Sequence, residues 1–187
     1  AAGIEDDDPH MSAVVFGIDT MPLVFQIPIT KEAFDIQDDE TFQNFVKDIA
    51  HLEMAVVILV IDYLKDRLRN MYVRLYVDNL IELYALINPS GSKKRIIANM
   101  GFLHKIQCAE YNILTYVEYV SSPRNLSDLW TRKKKLTKTA KALESIISRI
   151  EMPIPVKIMQ YISLTTQDLV DKIKAVHEIY MKDNEVH

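Results

Sequence analysis

Glycine is scarce in this chain, with four residues in 187. So few hinge residues argue against a turn-rich β-sandwich and against loops that cradle nucleotide phosphates. Cys108 is the only cysteine, which excludes an internal disulfide. A domain of this size buries roughly 70% of its unfolded surface and needs no disulfide or structural metal to close its core. Long apolar runs are also missing. The longest, Met54 to Ile61, has eight residues, against about 20 for a membrane-spanning helix. No transmembrane segment is expected.

What is present suits a globular chain: 49% apolar and 26% charged residues, a composition that excludes disorder throughout. The net charge of -4 is unevenly placed. Residues 1–91 carry 6 Lys/Arg against 16 Asp/Glu, and residues 92–187 carry 16 against 10. Such a division suits internal complementarity, a charge-guided partner, or differently solvated faces, the last being the ordinary case. The chain opens at Ala1, and Asn125-Leu126-Ser127 is an acceptable glycosylation sequon. These lean towards a secreted protein, although a single cysteine suits a reducing compartment equally.

Residues 1–12 are acidic and aperiodic, so a mobile tail is expected ahead of a single domain over 13–187. Residues 13–29 are apolar and contain Gly17, Pro22 and Pro28, with Leu23, Phe25, Ile27 and Ile29 alternating. Proline fixes φ and extends the residue before it, so this stretch reads as an extended arm over the rest of the fold. A swapped arm or a lid over a ligand pocket are the alternatives.

From Lys31 to Asn88 neither glycine nor proline occurs, which favours long helices. Thr30 can cap a short turn through Ile36. From Asp38 or Asp39 onward, Phe42, Phe45, Val46, Ile49, Leu52, Val56, Leu59 and Tyr63 form a stripe at steps mostly of three and four. Residues 54–61 are apolar all round, as in a helix enclosed by others. An unbroken helix from 39 to 87 would be about 74 Å long, too long for a compact domain, and the expected break is near Asn70. Beyond it Tyr72, Tyr76, Leu80, Tyr84 and Ile87 share a helical face, although residues 70–78 alternate as well as they cycle and suit a short strand too. After the turn Asn88-Pro89-Ser90-Gly91, a helix from Ser92 to about Val120 is expected along Ile96, Met100, Leu103, Ile106, Ile113, Val117 and Val120, with Gly101 as its weak point. A further helix from Asn125 or Ser127 carries Leu129, Leu136, Ala140, Leu143, Ile147 and Ile150 at coiled-coil-like steps. Past Pro153 and Pro155, Thr165 and Asp168 resemble a capping box before a last face of Leu169, Ile173, Val176 and Tyr180. The resulting expectation is an all-α fold, a bundle of five or six helices with an extended apolar N-terminal arm.

Chemistry-bearing motifs are few. His104 and Cys108 stand one helical turn apart, the spacing of a thiolate–imidazolium pair or of two zinc ligands. Zinc needs three or four ligands and no third is indicated, so Cys108 is read as a small buried hydrophobe. A di-metal bundle uses Glu-x-x-His twice, which is absent; Asp48 with His51 reads as a surface hydrogen bond. There is no Gly-x-Ser-x-Gly elbow and no phosphate loop. Arg132, Lys133, Lys134, Lys135, Lys138 and Lys141 form a basic run, and Lys93, Lys94 and Arg95 a second cluster at a helix start, where an anion is favoured. Only Trp130 could stack a base beside them, so solvated faces explain these runs better than nucleic acid does.

Nine tyrosines and eight methionines are the remaining signal. Both side chains line adaptable apolar pockets. The expectation is a non-enzymatic protein, without cofactor or metal, that holds a small hydrophobic ligand near Tyr63, Tyr72, Tyr76, Tyr84, Met100 and Tyr111. The alternative is an interaction protein that self-associates or docks a partner through the arm and the charged faces, with Lys93, Lys94, Arg95, Lys134, Lys135 and Lys138 as its anion-binding groups.

Overall fold

A strand with apolar residues on both faces belongs in the middle of a sheet, and the proline-flanked segment 23–28 is such a strand. The computed structural model describes residues 2–3, 10–34, 36–47, 49–131, 138–151, 171 and 175. Its strands are β1 (Ala2–Gly3), β2 (His10–Val15), β3 (Leu23–Pro28), β4 (Tyr72–Val77), β5 (Leu114–Tyr119) and β6 (Ser148–Glu151). Its α-helices are α1 (Asp39–Val46), α2 (Ile49–Leu68), α3 (Leu80–Ile87), α4 (Arg95–Glu110) and α5 (Lys138–Leu143). One sheet has the order β1-β2-β3-β6, with β1/β2 and β2/β3 antiparallel and β3/β6 parallel; a second sheet pairs β4 and β5 in parallel.

The all-α expectation is therefore overturned: this is a mixed fold of helices and two small sheets, and it is not a helical bundle. The extended residues 13–29 do not lie over a bundle as an arm. They form most of the β2–β3 hairpin, in register from His10↔Pro28 to Val15↔Leu23, with Gly17 at φ 79° on the connecting loop. Leu23 through Ile27 are all buried. Gln26 escapes an unpaired amide because its Nε2 donates to the Trp130 carbonyl at 2.8 Å and its Oε1 accepts from Arg149.

Helix α1 starts where its cap was expected. The Asp38 carboxylate accepts the Thr41 N–H at 2.7 Å, an N-cap that satisfies one of the helix's free donors. The single helix expected from 39 is interrupted at Lys47, and α2 then carries the apolar run 54–61. It is buried on nearly every side, with Leu52, Met54, Ile58 and Leu59 at the centre of the core.

Two asparagines then turn helices into strands. Asn70 (φ 62°) follows α2, and Asn112 (φ 52°) follows α4. Asparagine tolerates the left-handed conformation because its short side chain bonds locally, and it ends helices as glycine does. The two turns hold one another: Asn112 Nδ2 donates to Asn70 Oδ1 at 2.9 Å, Asn70 N–H to the Tyr111 carbonyl, and Leu114 N–H to the Met71 carbonyl. The pairing of β4 with β5 continues from that clasp, Tyr72↔Leu114 to Val77↔Tyr119. Hence 72–77, whose state was open, is strand, and the helix expected to reach Val120 stops at Glu110. Gly101 has a packing reason: a Cβ there would collide with the Ala85 carbonyl oxygen, so it lets α4 cross α3 closely.

The helix expected from Asn125 is also replaced. Ser122–Arg124 and Leu126–Trp130 are short 3-10 turns, α5 is brief, and Ile150 belongs to β6. Leu129, Leu143 and Ile147 pack instead with Val24 and Trp130 in a small second core. Leu136, Lys134, Lys135, the Thr165–Asp168 box and the last expected face, Leu169, Ile173, Val176 and Tyr180, lie outside the described residues. Among the described residues no helix is long and apolar enough to cross a membrane.

Candidate functional site

A cleft of about 760 Å³ lies between β2 and β4, with α2 as its floor. Helix α2 presents Glu53, Val56, Val57, Val60, Ile61 and Leu64 to it, residues at steps of three and one that share one helical face. Strand β4 contributes Val73, Leu75 and Val77, its half-buried to buried face, and β2 contributes Ser12 through Val15. The far wall is closed by Val120 and Arg124–Ser127. Ser12 Oγ donates to the Ser127 carbonyl at 2.5 Å, and Val120 N–H to the Val77 carbonyl at 2.9 Å, which tie this wall to both strands.

The cleft is apolar along its length and polar at one end. There Glu53, Asp78 and Glu82 come from α2, from the loop after β4 and from the first turn of α3. Glu53 is 7% exposed and Glu82 is 3% exposed. Asn79 organises them. Its Oδ1 accepts the Ile81 N–H as the cap of α3, while its Nδ2 donates to Glu53 Oε2, each at 2.9 Å. Burial raises the Glu53 carboxyl above its ordinary value, with the charge of the chain's N-terminal ammonium and the Asn79 bond opposing and Asp78 and Asp128 adding to the rise. Burial pushes Glu82 up to about 8; the charge of the chain's N-terminal ammonium opposes the rise, and those of Glu53 and Asp78 add to it. Glu82 is thus a neutral acid at pH 7, held at the end of an apolar cleft. A carboxyl in that state donates a hydrogen bond to a neutral guest, or gives up its proton to accept a cation.

Of the residues expected to line a pocket, the structure brings two to this cleft, Tyr72 and Tyr76, both at its rim and more than half exposed. The other four are elsewhere. Tyr63 meets Phe25 edge-on at 5.4 Å, Met100 is wholly within the core, Tyr84 is exposed on α3, and Tyr111 lies under the cations of Lys65 and Arg69. Lys93, Lys94, Arg95 and Lys138 are exposed and are not brought together with the cleft. Helix α4 begins after Lys94 rather than Ser92, with no side-chain cap. Trp130, the one indole available for stacking, is 1% exposed and belongs to the second core. His51 is buried against Phe45 rather than at the surface; Asp48 is outside the described residues.

His104 and Cys108 do meet, with Sγ 3.6 Å from Nδ1 and Nε2 3.2 Å from Thr115 Oγ1. Burial drives the imidazole down to about 3 and the thiol up to about 11. Both are neutral at physiological pH, the opposite of the thiolate–imidazolium pair that nucleophilic catalysis requires. A hollow of about 280 Å³ touches Cys108 but not His104. Among the described residues no group of three or more His, Cys, Asp or Glu is placed to hold a metal.

The sequence reading missed Glu53, Asn79 and Glu82. Their signal was present. Glu53 and Glu82 are single carboxylates inside otherwise apolar helical stretches (Leu52-Glu53-Met54, Ile81-Glu82-Leu83), where burial is forced on them, and Asn79 to Glu82 has capping-box spacing. No protein-family model matches this sequence, and no curated protein or solved structure matches it either, so the functional reading rests on the chain's own residues.

Proposed function

We propose that this chain is a non-enzymatic binding protein that holds a small, largely apolar molecule in the cleft between β2 and β4. One observation carries the reading: a cleft of about 760 Å³ with aliphatic walls and two buried carboxyls, Glu53 and Glu82, in its lining. Ligand sites of roughly 300–1,000 Å³ have this character, mostly apolar with a few polar groups that fix orientation. The hydrophobic ligand expected from the sequence is retained, and its place moves. Valine, isoleucine and leucine of α2 and β4 form the walls, and the tyrosines stand at the rim.

The neutral fluorescent probe N-phenyl-1-naphthylamine tests this. Its emission should rise saturably with a single site per chain. Val57→Trp or Leu75→Trp, each at a half-buried position in the cleft lining, should weaken probe binding by roughly tenfold with the melting temperature unchanged. Undiminished binding in both folded variants would place the probe elsewhere and remove the cleft from consideration.

A further inference from the structure

The cleft is bounded by two strand edges as well as by aliphatic side chains. We propose that the molecule it holds is a short extended peptide of a partner chain, added as a β-strand between β2 and β4, antiparallel to β2 and with aliphatic residues at alternate positions. This deepens the binding reading above and rests on it.

The lining identifies the edges. Successive residues of a strand point to opposite faces, so a cavity resting on one face of β4 would touch every second residue. This cleft touches every residue from Met71 to Asp78 and every residue from Ser12 to Ile18. It therefore meets both strands edge-on. No residue of β5 or β3 lines it, so these are the edges that β5 and β3 leave open. Among the described residues β4 pairs with β5 alone, and the second edge of β2 meets β1 only at Met11 and His10. No strand reaches Ala13 to Val15 on that side. Open edges present rows of N–H and C=O groups, a template for a further strand. A guest without a backbone covers the aliphatic walls and leaves those rows unserved, whereas a peptide serves both, as in other recognition by strand addition.

Strand β1 gives the direction. It already uses the open edge of β2, antiparallel, with Ala2↔Met11 and Gly3↔His10. A strand added in the same sense runs along Val15, Val14 and Ala13 with its C-terminal end towards β1. The packing of β2 gives the side chains. Ala13 and Val15 pack on the main core, and Val14 packs on the second core with Val24 and Trp130. Ser12, on the Val14 side, bonds the Ser127 carbonyl. The added strand thus lies between α2 on one side and Arg124–Ser127 on the other. Its alternate residues meet Val57, Val60 and Leu64, which calls for aliphatic side chains, and those between them meet Arg124 and Asn125, where polar ones fit. Strand β4 has six residues, so a peptide of similar length, about 20 Å extended, matches its edge. A parallel pair such as β4/β5 is ordinarily part of a larger covered sheet, and one strand in the slot joins it to β2.

Displacement of N-phenyl-1-naphthylamine from the full chain by the peptide acetyl-Lys-Val-Thr-Val-Thr-Val-Ser-amide tests this. The peptide should displace the probe saturably, and amide hydrogen exchange should slow along Tyr72–Val77 and Ala13–Val15. N-methylation of its valines, or of its threonines, keeps the side chains and removes backbone donors to one edge. Each methylated peptide should displace the probe roughly tenfold more weakly. Joined directly ahead of Ala1 through its C-terminal end, the parent peptide should exclude the probe, because β1 dictates that direction. If the probe binds and the parent peptide fails to displace it, or the methylated peptides displace it equally well, the strand is wrong and the cleft reading stands. A joined chain that still takes the probe overturns the strand in the same way. If the probe itself does not bind, the cleft reading falls and takes the peptide with it.

Discussion

Among the described residues two clusters of titratable side chains are buried, Glu53 with Glu82 and His104 with Cys108, and burial treats them alike. Each group is driven towards its neutral form: Glu82 up to about 8, His104 down to about 3 and Cys108 up to about 11. They differ in their partners. The imidazole of His104 is used on both sides, by Thr115 Oγ1 and by Cys108 Sγ, and it meets no cavity. Glu82 faces a cleft, and the charge of the chain's N-terminal ammonium acts on it and on Glu53 against burial. A perturbed proton affinity is therefore a pointer to a binding site only where the group also reaches open space. The His104 cluster is helix-to-strand packing between α4 and β5. The Glu82 cluster lines the cleft between β2 and β4.

The largest test of that contrast is the pH dependence of stability. Glu82 ionises near its ordinary 4.5 when the chain is unfolded and near 8 when folded. Its contribution is fully present below about 4.5, and it is lost as pH rises through about 8, because the unfolded chain sheds the proton first. The loss is on the order of 4 kcal/mol, or about 10 °C in melting temperature at this chain length. Thermal melts of the unmodified chain and Glu82→Gln at pH 4.5 and 8 should show the variant gaining on its parent by about that much at the higher pH. Parallel melts would mean that the carboxyl is solvated in the folded state. His104 has the opposite sign: held down to about 3, it withdraws stability as pH falls from 6.5.

Next in size is the reactivity of Cys108. A thiol pushed up from 9 to about 11 by burial holds about a hundredfold less thiolate at pH 8. Iodoacetamide should alkylate the folded chain at least that much more slowly than the chain unfolded in urea. Comparable rates would show an activated cysteine and erase the difference between the clusters.

How far the fold could be read depended on the parity of the apolar steps. The stripe through α1 and α2 mixes threes and fours, and a step of three puts residues on opposite faces of a strand, so only a helix satisfies it. Tyr72, Tyr76, Leu80 and Tyr84 are spaced by fours alone. Four is even, so the same residues share a face of a strand, and Tyr72 and Tyr76 do. In the expected third helix the short steps are interrupted after Ile106 by a gap of seven, and of the residues beyond it Val117 lies in β5 while Ile113 and Val120 flank that strand. The break near Asn70 was legible because a single helix would have outgrown the domain. Its twin at Asn112 had no such length argument, yet Asn70-Met71-Tyr72 and Asn112-Ile113-Leu114 make the same turn. The cleft was hidden for another reason. Its walls are aliphatic residues that look like any core, and the informative positions were the lone acids within apolar helices, not the plentiful tyrosines.

The finest distinction concerns Asn79, which makes Glu53 and Glu82 unequal. It serves two masters, capping α3 through Oδ1 and bonding Glu53 through Nδ2, and substitutions can separate these. Asn79→Ala loses both and should cost about 1 kcal/mol, about 2–4 °C in melting temperature. Asn79→Ser keeps a capping oxygen and should stay within a few tenths of a kcal/mol of the parent, but it cannot donate to Glu53 across the same distance. Because that bond holds Glu53 down against burial, the Glu53 carboxyl should move upward by a similar amount in both variants, as followed by carbon NMR of labelled glutamate. Stability that falls only in alanine, with titration that moves in both, would show that Asn79 keeps one glutamate readier to ionise than the other. If Glu53 titrates unchanged in both, the asparagine is merely a helix cap, and the inequality of the two acids comes from burial alone.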